Sequence, residues 1–143
     1  MNDNTGHIPR ILHVEDDQDT REITAIALEL TGAVTLLQCT SGEEAIEKAA
    51  AFGPDVILLD VMMQTMHGPE VFAAFRQIPE VSDVPVIFMT GRVQQNEVNE
   101  LMSLGALSVI AKPFEPLELL GTIESALRRA PAAKERVPAV SAC

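Results

Sequence analysis

The sequence predicts an α/β fold, a doubly wound sheet of five parallel strands with five helices on its two faces. Three observations predict it. Short runs of nearly continuous apolar residues recur five times, as strands covered on both faces require. Between the runs lie segments with helical periodicity and with helix start and stop signals. Polar groups then stand at the C-terminal ends of four runs: Glu15-Asp16-Asp17, Asp60, Thr90 and Lys112-Pro113.

Each element has its own local reason. Ile11 to Val14 anchors a first strand over about 9–14. Asp17 or Asp19 can cap a helix over about 18–31, whose periodicity predicts Ile23, Ile26, Ala27 and Leu30 as the inner face. Gly32 ends that helix, and Val34 to Gln38 forms the second strand. Ser41 and Glu44 stand three apart, the capping-box spacing, ahead of Ala45, Ile46 and Ala49. Gly53-Pro54 stops this second helix, and the third strand is Val56 to Leu59.

A Met-rich loop, Val61 to Gly68, separates Asp60 from a helix beginning at Pro69, where proline is tolerated. Val71, Phe72 and Phe75 form its inner stripe. The fourth strand is expected at about 84–89 and a more polar helix at about 93–104, with Val98, Leu101 and Leu104 inward. Gly105 closes that helix, and the fifth strand follows at about 107–111. A last helix is expected over about 115–129, with Leu119, Leu120, Ile123 and Leu127 as its apolar face. Residues 1–8 read as a disordered lead and 130–143 as a disordered tail, leaving one domain at 9–129.

Right-handed crossovers and strand order 2-1-3-4-5, the flavodoxin-like arrangement, give the simplest closure of such a chain. Ligands of open α/β sheets bind outside the carboxyl ends of the strands. In this order the first and third strands are neighbours, so Asp16 and Asp60 meet, with Thr90 and Lys112 reaching in from the fourth and fifth. Carboxylates, a hydroxyl and an ammonium around one point suit a divalent cation and a phosphoryl group.

Bulk properties narrow the function classes. The chain has 143 residues, 47% hydrophobic and 22% charged, the balance of a globular domain with a real core. Its formal charge of −11 disfavours binding to a duplex or to an anionic membrane. No apolar run approaches the ~20 residues that span a bilayer, and the start carries no secretory signal. Cys39 and Cys143 form neither a metal motif nor a disulfide framework, which fits a reducing cytoplasm.

Over about residues 9–129 the chain resembles the receiver domain of two-component response regulators. The resemblance is carried by Val14-Glu15-Asp16-Asp17, by Asp60 in Leu58-Leu59-Asp60-Val61-Met62-Met63, by Met66-His67-Gly68, by Thr90-Gly91 and by Lys112-Pro113-Phe114, in family order and spacing. It implies that Asp60 accepts a phosphoryl group from a sensor histidine kinase or a histidine phosphotransfer protein. Asp16 and Asp60 would bind Mg²⁺ directly, with the backbone carbonyl of Met62 as third protein ligand and Glu15 acting through water. Thr90 would hydrogen-bond the phosphoryl oxygens, Lys112 would pair with them, and the Lys112-Pro113 bond would be cis. A partner-binding surface on the fourth helix, fifth strand and fifth helix would then switch, toward a downstream protein target or a second copy. With no output module in these residues, a stand-alone regulator of the chemotaxis type is expected.

The chain also departs from the family pattern. Gln64 stands where proline is common, and His67 where an acidic or polar residue is common. Val109 occupies the aromatic switch position, so no ring can report phosphorylation there. Met62 and Arg92 occupy the positions that tune autodephosphorylation, and Arg92 is expected to shield the phosphoryl group from water. Asp17 and His13 are expected to be structural. Three alternatives stand beside this reading: a receiver excised from a larger kinase or regulator, an aspartyl-phosphate phosphatase, and a flavodoxin. The phosphatase would need a D-x-D-x-T run after the first strand, whereas Glu15 to Thr20 lacks one with an apolar residue before the threonine. The flavodoxin would need a phosphate-cradling loop there, where this chain is acidic.

Overall fold

A computed structural model describes residues 8–129, so the expected tail and all but one residue of the expected lead lie outside the described residues. The strands are β1 (Arg10–Val14), β2 (Thr35–Cys39), β3 (Val56–Asp60), β4 (Val86–Thr90) and β5 (Ser108–Ala111). The helices are α1 (Gln18–Thr31), α2 (Gly42–Phe52), α3 (Gly68–Phe75), α4 (Gln95–Ser103) and α5 (Leu119–Arg129), the last preceded by a 3₁₀ turn at Pro116–Glu118. The sheet is wholly parallel in the order β2-β1-β3-β4-β5, as the sequence predicts.

Strand alternation splits the core into two layers. Leu12, Val14, Ile57, Leu59 and Phe88 pack with Val71, Phe72 and Phe75 of α3 and Leu101 of α4. Ile11, Leu58, Ile87 and Met89 face the other way, toward Ala27 and Leu28 of α1 and Leu119 and Ile123 of α5. Every residue of β3 and β4 is buried, which is why those runs read as uninterrupted hydrophobics.

Three details differ from the sequence reading. The inner face of α1 is Thr24, Ala27 and Leu28, whereas Ile23, Ile26 and Leu30 are exposed. Two apolar stripes overlap on this helix, and docking against α5 and the 3₁₀ turn selects the one built of smaller residues. In α4 only Leu101 is buried; Leu104 lies at the helix end as its C-cap and is 45% exposed. In α5, Ala126 is fully buried and Leu127 only partly.

Capping explains the boundaries nearest the chemistry. Asp17 caps α1, its carboxylate accepting from the amide and the hydroxyl of Thr20 at 2.8 Å each. Ser41 accepts from Glu44 N at 3.1 Å, and the Glu44 carboxylate reaches back to Thr40 N at 2.7 Å. At α3, Glu70 accepts from His67 N at 2.9 Å.

Candidate functional site

The parallel register brings all the strand ends to one edge. Val14 pairs with Leu59, Asp60 with Met89, and Thr90 with Ala111. Backbone bonds extend that edge past the strands: Glu15 N donates to Cys39 O at 3.0 Å, Val61 N to Met89 O at 3.1 Å, and Lys112 N to Thr90 O at 2.8 Å. The residues carrying polar groups are thus fixed by main-chain bonds before their side chains interact.

Three carboxylates converge there. Glu15, Asp16 and Asp60 each place an oxygen within 4.8 Å of the others. Glu15 and Asp60 are buried and Asp16 is half-buried. The Lys112 ammonium lies 2.9 Å from Asp60 Oδ1 and 3.2 Å from Glu15 Oε1, so one cation spans two buried anions. The Lys112-Pro113 peptide bond is cis. Asp16 Oδ2 accepts from Gln64 N at 3.0 Å, which ties the loop after β3 to the end of β1. Thr90 is buried, and its Oγ1 accepts from Arg92 N at 3.0 Å. The Met62 side chain is exposed.

The electrostatics follow from burial and crowding. Loss of solvation pushes Glu15 up to about 7; the neighbouring Asp60 carboxylate adds to the rise and Lys112 opposes it. Burial works against the Lys112 ammonium, yet the hydrogen bond and charge of Asp60, with Glu15 behind it, hold its pKa above the ordinary lysine value. Such a site is short of positive charge, and hard oxygen donors from a few carboxylates are what Mg²⁺ takes from a protein. The donor set fits that cation.

Two residues expected to be structural have structural partners. Asp17 is the α1 cap described above. His13 is fully buried on the α1 side of the sheet, with Nδ1 3.1 Å from Gln38 Nε2. Burial lowers its pKa to about 3, helped by the charges of Lys112 and Arg21, so the ring is neutral at pH 7.

The sequence reading missed how tightly the loop after Asp60 is built. A Cβ on Gly68 would lie 2.6 Å from Asp60 O and 2.9 Å from Val61 Cα, so only glycine lets α3 start this close to the end of β3. Gly68 N donates back to Val61 O at 2.9 Å, and Thr65 Oγ1 donates to Glu43 Oε1 at 3.2 Å. The one available signal was a glycine directly before a proline at the helix start. The Arg92 guanidinium lies 3.7 Å from Glu97 Oε2, in the first turn of α4.

Comparison with known proteins agrees with this geometry. A family model described as the response regulator receiver domain matches residues 11–124. The chain is 38% identical over 125 residues to the transcriptional regulatory protein YvrH of Bacillus subtilis, covering 87% of this chain and 52% of that protein. It is 32% identical over 122 residues to the phosphate regulon transcriptional regulatory protein PhoB of Pseudomonas aeruginosa, covering 83% and 52%. The chain therefore spans about half the length of these curated relatives. Among solved structures, the Vibrio cholerae chemotaxis protein CheY4 superposes with a TM-score of 0.78 at 28% identity, over 84% of this chain and 99% of that one.

Proposed function

The chain belongs to the response regulator receiver domain family of two-component signalling, and from that premise we propose that Asp60 is its phosphoacceptor in a Mg²⁺-dependent reaction. The observation that carries the proposal is the convergence of Glu15, Asp16, Asp60 and Lys112 on one point at the carboxyl edge of the sheet.

In this reading an Asp60 carboxylate oxygen attacks the phosphorus of a phosphohistidine on a sensor kinase or phosphotransfer protein. A P–O bond forms as the P–N bond breaks, and the histidine nitrogen keeps the electron pair and takes up a proton. Lys112, already 2.9 Å from Asp60, neutralises the incoming phosphoryl oxygens, and the Thr90 hydroxyl donates to one of them. Asp16 and Asp60, with the Met62 carbonyl, would hold Mg²⁺, and Glu15 would act through water. Bound there, the cation supplies positive charge to the phosphoryl oxygens and relieves the repulsion among the three carboxylates. Gly68 keeps the loop close to Asp60, and burial of Glu15, Asp60 and Thr90 limits water at the acyl phosphate.

The family is a signalling module rather than a classical enzyme, so chemistry on its own aspartate is the means and partner binding the output. The output in this proposal is a downstream protein, with a second copy as the alternative partner. A charge of −11 favours neither nucleic acid nor membrane as a direct ligand of this module. No helix among the described residues is long and apolar enough to cross a membrane. Cytoplasmic residence belongs to the same proposal. A second reading, a receiver acting within a longer regulator, is favoured by the half-length match to the curated relatives.

The test is incubation with acetyl phosphate, with and without Mg²⁺, read by intact mass. The expected result is a single phosphoryl gain that needs the metal and disappears in Asp60→Asn. No gain in the wild-type protein, or an undiminished gain in Asp60→Asn, overturns the proposal.

A further inference from the structure

Asp16 is the carboxylate of the cluster that Lys112 does not pair with; the ammonium is engaged by Asp60 and Glu15. Among the described residues, the hydrogen bond that Asp16 receives comes instead from the loop after β3. Gln64 N donates to Asp16 Oδ2 at 3.0 Å. A proline has no amide hydrogen to give, so this bond exists because position 64 departs from the proline common there.

The donor is held independently of the acceptor. Met63 is buried in the core, Met66 packs against it, Thr65 Oγ1 donates to Glu43 Oε1 at 3.2 Å, and Gly68 N closes the loop on Val61 O at 2.9 Å. The amide of Gln64 is therefore anchored on both sides. Asp16 is held less firmly. It lies beyond the end of β1 and is half-buried, and Glu15 and Asp60 each place an oxygen within 4.8 Å of one of its own. Like charges at that spacing drive a carboxylate with access to water outward. The fixed amide opposes that turn, and it engages one oxygen of Asp16 while leaving the other to a cation.

Resting on the reading of this cluster as the Mg²⁺ site of a phosphoacceptor, we propose that Gln64 is a positioning residue for the cation, its main-chain amide holding the Asp16 carboxylate in the ligating orientation before the metal arrives. The same bond joins two of the proposed ligands, Asp16 and the carbonyl of Met62 two residues upstream of the donor. The end of β1 and the loop after β3 thus meet the cation as one unit. Gln64 itself is exposed, and its side chain has no part in this role. Hydrogen bonds that aim a ligating carboxylate are worth about 10–100-fold in metal affinity.

The experiment titrates Mg²⁺ by calorimetry into chelator-stripped wild type, Gln64→Pro and Gln64→Ala. Gln64→Pro removes the amide hydrogen and should bind Mg²⁺ about tenfold or more weakly. Gln64→Ala keeps the amide and should bind as wild type does. Equal affinity in wild type and Gln64→Pro, or a Gln64→Ala as weak as Gln64→Pro, overturns the proposal. A second measurement does not depend on Gln64→Pro folding. Hydrogen exchange of the Gln64 amide, resolved by NMR, is followed in chelator for wild type and Asp16→Ala, then for wild type with saturating Mg²⁺. The amide should be protected in wild type, exchange freely in Asp16→Ala, and stay protected once Mg²⁺ is bound. Equal exchange in the two proteins overturns the proposal. So does faster exchange on adding Mg²⁺ to wild type, which would mean that the amide competes with the cation for Asp16. Phosphoryl gain from acetyl phosphate, read by intact mass, separates the two readings. A wild type that gains the group while Gln64→Pro matches its Mg²⁺ affinity refutes the role of Gln64 alone, whereas no gain in wild type refutes the phosphoacceptor.

Discussion

Replacing Lys112 with alanine tests the electrostatic design of the site directly. Its ammonium sits 2.9 Å from Asp60 and 3.2 Å from Glu15. At an effective dielectric of about 20, charges at those separations attract by roughly 5 to 6 kcal/mol each before desolvation is counted. Desolvation of the three groups cancels much of this, and the Lys112 side chain keeps 23% of its exposure, so water screens it in part. What remains is the cost of leaving two buried carboxylates with no counter-charge, about 2–4 kcal/mol at pH 8 without divalent cation. Urea denaturation of wild type and Lys112→Ala at pH 8, in chelator, reads this difference. The loss should shrink at pH 5.5, where Glu15, with its raised pKa of about 7, takes up a proton and one of the two anions disappears. It should shrink again at pH 8 when millimolar Mg²⁺ is added, because the cation replaces the missing charge. A Lys112→Ala protein as stable as wild type in chelator at pH 8 would refute the claim that this ammonium neutralises the cluster.

Other consequences follow from the same geometry. Glu15 binds its proton more tightly folded, near pH 7, than unfolded, near 4.5, so its contribution is fully present below pH 4.5 and is lost as pH rises toward 7. Wild-type stability without cation should therefore fall on the order of 3 kcal/mol over that window, and Glu15→Gln should flatten the slope; equal slopes in the two proteins by urea titration would remove the argument. Gly68→Ala should cost roughly 1–3 kcal/mol in thermal melting, since its Cβ meets the backbone of Asp60 and Val61, and an unchanged Tm would show that the loop yields freely. Ile26→Lys should change stability by no more than about 0.5 kcal/mol, because Ile26 is exposed; a loss of several kcal/mol would restore the inner face expected from periodicity alone.

Much of the fold was legible because its causes are local. The central strands β3 and β4 are apolar runs covered on both faces, and α1 and α2 carry their own caps, as Asp17 with Thr20 and Ser41 with Glu44 show. Strand order followed from chirality and short connections, which constrain any chain with this alternation. The residues of the site were legible for the same reason: a polar group ending an apolar strand must emerge at the sheet's edge, and only one edge carries the carboxyl ends of parallel strands. The inner face of α1 was less legible, since Ile23, Ile26 and Leu30 satisfy helical periodicity as well as Thr24, Ala27 and Leu28 do.

The sequence by itself determined which chemical groups are present, which strand ends carry them, and hence the class of ligand they suit. Only the tertiary structure decided that Lys112 bridges Asp60 to Glu15, that Gly68 lies against the backbone of Asp60 and Val61, and that Arg92 bonds Thr90 through its amide and pairs with Glu97 through its guanidinium. Periodicity reports the direction in which a side chain leaves its own backbone. Distances between residues 52 or 97 positions apart, such as those joining Lys112 to Asp60 and to Glu15, depend on how whole elements pack, and no local pattern encodes them.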